Sequence, residues 1–176
     1  SFLVIRTLQT QNKVTMTTSK NRTNWMAGHH GLMTHWIFGS LMPEKGEVIK
    51  TFDEAVNNFN LARFLNDFAA TGPAWLIFTI GQNSGKYASP NSVIDQFCGK
   101  GHCSERDLVL EIATEIHRMG KHFIAYLPCE VAGNLSMHEG FAWNTQEGTD
   151  QAAFQRRYLL AIREWSERFG LMLDGW

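Results

Sequence analysis

No stretch of this chain approaches the ~20 consecutive apolar residues that a membrane-spanning helix needs, so no membrane partner is expected. Charge of neither sign dominates: sixteen Lys and Arg against seventeen Asp and Glu give a formal net charge of −1. Without a basic excess to neutralise phosphates, a nucleic-acid partner is not expected either. Cysteine is scarce. Cys98, Cys103 and Cys129 lack the spacing of metal ligands, and if two of them bridge, one is left over. Cys98 and Cys103 could close a small loop in an oxidising compartment, or all three could stay as free thiols. The opening Ser-Phe-Leu-Val-Ile is too short for the apolar region of a signal peptide, and the chain does not begin with Met, so the start reads as cut.

What is present describes a folded domain. The 176 residues are 44% hydrophobic and 19% charged, a balance that excludes a disordered chain and suits one ordinary core. Aromatic residues make up 12%, six of them Trp. An indole face packs well on the C–H face of a pyranose, and equally well fills a core. Asn21-Arg22-Thr23 and Asn134-Leu135-Ser136 match the N-glycosylation sequon, a pattern that also arises by chance.

The order of elements is more informative. Residues 1–24 read as a polar lead-in. Gly31-Leu32-Met33-Thr34-His35-Trp36 reads as a short strand. A loop through Pro43, Gly46 and Asp53 leads to a helix in which Leu61, Phe64, Leu65 and Phe68 share a face, with Asn60 as N-cap and Gly72-Pro73 as its stop. Ala74-Trp75-Leu76-Ile77-Phe78-Thr79 has the unbroken apolar composition of a strand in a parallel sheet. The same alternation then recurs. Ser104 with Asp107 reads as a capping box, opening a helix with Leu108, Ile112, Ile116 and Met119 on one face. His122 to Leu127 forms a third strand, a long helix runs from about Ala152 to Phe169, and Leu171 to Trp176 begins a fourth strand.

Strands alternating with helices predict an α/β fold with a parallel sheet. No Gly-rich phosphate turn follows the first strand, which argues against a dinucleotide-binding fold. Long loops follow the strands and terse turns follow the helices, the layout of a (β/α)8 barrel with its site on one rim. With about four strands and three main helices, residues 25–176 are expected to be the N-terminal half of such a barrel. The unpaired sheet edges would then invite self-association.

Several segments resemble α-L-fucosidase-like glycoside hydrolases across about Trp25 to Trp176: Gly31-Leu32-Met33-Thr34-His35-Trp36, the Gly-Pro-Ala-Trp strand opening, and Arg106-Asp107-Leu108-Val109. The resemblance implies a carbohydrate substrate, a two-carboxylate mechanism, no cofactor, and a secreted or extracytoplasmic setting. It places His35 in the sugar site. In "GQNSGKYASPN", Gln82 and Asn83 stand where typical members carry a His-His pair, so hydrogen bonding replaces any proton chemistry there. Such enzymes place a nucleophilic Asp at the tip of the fourth strand, in an aromatic-x-Asp-Gly context. Asp174-Gly175-Trp176 invites that role, yet Asp174 follows Gly170 by four residues where a strand needs about five or six to cross the sheet. By that register the family's Asp falls just past Trp176. Glu130, beyond the third strand, is the other candidate catalytic carboxylate, and Tyr126 a further candidate for the pocket.

Two rival readings follow from the same residues. His29, His30 and His35 suggest a metal hydrolase, but adjacent residues on an extended segment point to opposite sides, and no metal is expected. The second rival is a non-catalytic carbohydrate-binding or vestigial barrel, favoured by the missing His-His pair. On the hydrolase reading this polypeptide is expected to be an inactive fragment of the enzyme.

Overall fold

Three parallel strands lie side by side in the order β1-β2-β3: Gly31–Thr34, Trp75–Thr79 and His122–Tyr126. The computed structural model describes residues 22–36, 38, 49–82 and 84–176. The lead-in expected over 1–24 falls outside these apart from its last three residues, and so do Asn83 and Asn21 of the first sequon. Six α-helices are described: α1 Phe52–Asn57, α2 Leu61–Ala70, α3 Ser92–Cys98, α4 Leu108–Arg118, α5 His138–Phe141 and α6 Ala152–Phe169. The fold is thus α/β with a parallel sheet.

Pairing register gives the sheet two different faces. Leu32, Leu76 and Phe123 align across the strands, as do Thr34, Phe78 and Ala125. Because side chains alternate, these rows share one face, and Leu76, Phe78, Phe123 and Ala125 are at most 2% exposed. Helix α4 packs on β2 and β3 here, with α2 and α6 against α4. Met33, Ile77 and Ile124 align on the opposite face. That face stays partly open, Met33 being 42% exposed.

Sequence chemistry explains the helix ends. Asn60 caps α2 by accepting from the Arg63 N–H at 3.0 Å. The cap of α4 is Asp107, which accepts from Leu110 N–H at 3.1 Å. This corrects the capping box expected at Ser104, whose hydroxyl instead donates to the Arg106 carbonyl at 2.7 Å and tightens the preceding turn. Asp53 lies in α1, which Thr51 caps, and not in a loop. On α6, Phe154, Tyr158, Ala161, Trp165 and Phe169 recur at three- and four-residue spacing and are all buried.

The end of the chain differs from the expected strand. Gly170–Met172 is a 3-10 turn, and only the Asp174-Gly175 segment pairs with β3, in parallel. Asp174 N–H donates to Phe123 C=O at 2.9 Å and Ala125 N–H to Gly175 C=O at 3.0 Å. The sheet therefore continues past β3 on that side. Cys98, Cys103 and Cys129 are free thiols. Asn134, the acceptor residue of the second sequon, is only 5% exposed.

Candidate functional site

The carboxyl ends of the three strands bring together four side chains. Thr79 and Tyr126 are paired across β2 and β3. His35 is the next residue after β1, so continuing the register sets it beside Thr79. These three extend the open face of the sheet, two residues beyond the Met33–Ile77–Ile124 row. The Tyr126 ring stands edge to face with the His35 ring, centroids 5.6 Å apart. Gln82, three residues past β2, completes the group through a hydrogen bond to His35.

As the Gln82 amide is oriented, the hydrogen bonds favour one tautomer of His35. Its Nδ1 faces the side-chain carbonyl of Gln82 and, at 3.4 Å, the hydroxyl of Thr79. The Thr79 hydroxyl already donates to Thr34 C=O at 3.2 Å, so towards the imidazole it can only accept. Two acceptors around Nδ1 place the proton there. Nε2 is then a bare acceptor, suited to a ligand hydroxyl. Thr79 is fully buried and His35 exposed, so a buried group orients one that solvent can reach.

Gln82 is held by a loop that doubles back on itself. Ala88 N–H donates to Ile80 C=O at 2.8 Å, closing the segment between them. A Cβ on Gly81 would lie 2.0 Å from the Lys86 carbonyl oxygen, so only glycine permits this return. Tyr87 N–H donates to His102 C=O at 2.8 Å, Ser104 N–H to Tyr87 C=O at 3.0 Å, and the His102 ring to Gly85 C=O at 2.7 Å. The polar run after β2 is thus a fastened loop with its first side chain at the rim. Sequence reasoning named His35, Gln82 and Tyr126, and the structure brings them together. It missed Thr79, which looks like one more member of an apolar run. The available signal was a lone hydroxyl at a strand end, two residues before a glycine.

The two candidate catalytic carboxylates lie at opposite ends of β3. Glu130 follows its carboxyl end and accepts from Ala132 N–H at 3.1 Å. Asp174 sits beside its amino end, bonded to Phe123 N–H at 2.8 Å and His122 Nδ1 at 3.0 Å, with His117 Nε2 at 2.9 Å. Burial alone would raise the Asp174 pKa, but His122, the Phe123 N–H and His117 together hold it below the ordinary carboxylate value. Its oxygens are occupied, and it is remote from His35. The His122 ring also stacks on Trp25, centroids 4.2 Å apart, closing that end of the sheet.

His30 uses Nε2 on the Thr71 carbonyl at 3.1 Å. Among the described residues no group of three or more His, Cys, Asp or Glu could hold a metal ion, and no helix is long and apolar enough to cross a membrane. Comparison with protein-family models, curated proteins and solved structures finds no match.

Proposed function

We propose that the cluster of His35, Thr79, Gln82 and Tyr126 binds a neutral sugar, and that the chain supplies part of the wall of a (β/α)8 barrel in a glycoside hydrolase resembling α-L-fucosidases. The observation that carries this reading is the pre-set His35: a buried hydroxyl and an amide hold its Nδ1 proton and leave Nε2 free for a sugar hydroxyl. Tyr126 adds an aromatic surface beside it. Placement at the carboxyl ends of parallel strands agrees with where barrel enzymes keep their sites. The open row of Met33, Ile77 and Ile124 is the kind of apolar layer that a closed barrel fills.

Catalysis is a separate matter. A retaining glycosidase needs two carboxyl groups ~5–5.5 Å apart. The rise along β3 from Phe123 to Tyr126 alone is roughly 10 Å, with Asp174 beside the first residue and Glu130 beyond the second. This observation favours sugar binding without turnover for the residues described. Titration calorimetry with L-fucose, run beside an aryl α-L-fucoside assay, tests both parts. We expect millimolar binding that His35→Ala abolishes, and no hydrolysis. Equal affinity in His35→Ala refutes the binding site, and hydrolysis lost on Asp174→Asn refutes the assignment of Asp174 to structure.

A further inference from the structure

Away from the strand-end cluster, the segment joining β3 to α6 folds around a pocket of about 490 Å³. That size falls within the roughly 300–1,000 Å³ of small-molecule sites. Eleven residues line it, all between Ala132 and Gln151. None is Lys or Arg, and Glu147 is the one acid, so nothing there attracts a phosphate, a sulfate or a uronic acid. The lining is instead an indole, Trp143, with amides and hydroxyls from Asn144, Thr145, Gln146 and Thr149.

The pocket is built before any ligand arrives. Gln151 spans the loop from its far side: its carbonyl oxygen accepts from Asn144 N–H at 3.1 Å and its amide donates to Asn144 C=O at 2.6 Å. Asn144 in turn accepts from Gln146 N–H at 3.0 Å, and the Thr149 hydroxyl donates to Gln146 C=O. Trp143 is half-buried and wedged perpendicular to Phe154, ring centroids 4.8 Å apart. His138 donates from Nε2 to Val131 C=O at 3.0 Å and Ala132 C=O at 3.1 Å, which leaves Nδ1 an acceptor in the neutral ring. These bonds engage the side chains of Gln151, Asn144, Thr149 and His138. The side chains of Thr145 and Gln146 keep their hydrogen-bonding capacity for a ligand.

We propose that this pocket is a second saccharide site, taking a neutral hexopyranose whose C–H face packs on Trp143 while its hydroxyls bond the amide and hydroxyl side chains. It has its own residues and its own lining chemistry. It does not depend on the sugar reading of the His35 cluster.

The test is a nuclear magnetic resonance titration of the ¹⁵N-labelled chain with three probes: L-fucose, lactose, and 2′-fucosyllactose, which joins the two. The Trp143 indole N–H signal, assigned with Trp143→Phe, reports the pocket, and the His35 ring reports the strand ends. Lactose and 2′-fucosyllactose are expected to move the Trp143 signal saturably, and Gln146→Ala, an exposed position, to weaken both at least about threefold. If no saccharide moves Trp143, or Gln146→Ala and Trp143→Phe both bind lactose as tightly as the native chain, the inference is overturned. Lactose moving Trp143 while L-fucose leaves His35 unmoved upholds this site and rejects the other; the converse pattern does the reverse.

Discussion

Replacing Thr79 by valine removes one hydroxyl from the centre of the proposed site while keeping the side chain's shape. Thr79 is fully buried, so the change leaves no new surface. It deletes the hydrogen bond to Thr34 C=O at 3.2 Å and the acceptor 3.4 Å from His35 Nδ1. One neutral hydrogen bond contributes about 1 kcal/mol net, and an orphaned buried partner costs up to about 3. Thr34 is only half-buried, which sets the loss near the lower figure. Valine's preference for strands offsets a few tenths of that. We therefore expect Thr79→Val to lower stability by about 1 kcal/mol in urea unfolding at unchanged m-value. Imidazole ¹⁵N shifts should show His35 losing its single Nδ1–H tautomer, and L-fucose binding should weaken about fivefold. A variant as stable as the native chain, with His35 still wholly Nδ1-protonated, refutes the assignment of Thr79 as the group that orients His35.

Other outcomes follow from the same contacts. Arg106 donates to both Glu111 oxygens and to the carbonyls of Val56 and Asn57 at 2.7 and 3.1 Å, tying α1 to α4. Arg106→Ala should cost about 2–3 kcal/mol, with Arg106→Lys recovering less than half because an ammonium cannot serve both partners; equal stability of Lys and Arg forms contradicts this. Glu164 accepts from Ser92 N–H and hydroxyl, both at 2.8 Å, and from Val93 N–H at 3.0 Å. Burial alone would raise its pKa, but these bonds, with Arg168, depress it below the usual 4.5. A depressed folded pKa gives stability that is whole above about pH 4.5 and lost as pH falls through the folded value. Glu164→Gln should accordingly flatten the acid limb of a stability–pH curve, and an unchanged limb counts against it.

Long periodic elements were legible in the residues. The span of α6 and the Asn60 cap of α2 follow from apolar spacing and side-chain chemistry, and the parallel sheet from buried strands alternating with helices. The six-residue α1 and seven-residue α3 were not legible, because fewer than two turns hold too few apolar positions to show a period. Asp107 outcompeted Ser104 as cap because both fit the sequence rule and only the path of the chain decides between them. The meeting of His35, Gln82 and Tyr126 was legible because parallel strands deliver their carboxyl ends to one rim. Thr79 and Trp143 were not. Thr79 owes its place to contacts distant in sequence, with Thr34 and His35, and Trp143 to a nearby aperiodic loop that Gln151 closes and to Phe154 beyond it.

The sugar site is tested most directly by following the His35 ring and the Gln82 side-chain amide in the ¹⁵N-labelled chain as L-fucose is added. Both signals should move together and saturate with a dissociation constant of about 1 mM, the His35 Nε2 shift reporting a new hydrogen bond. Signals that stay fixed at the rim while L-fucose moves His122 or Trp25, at the other end of the sheet, would contradict the account.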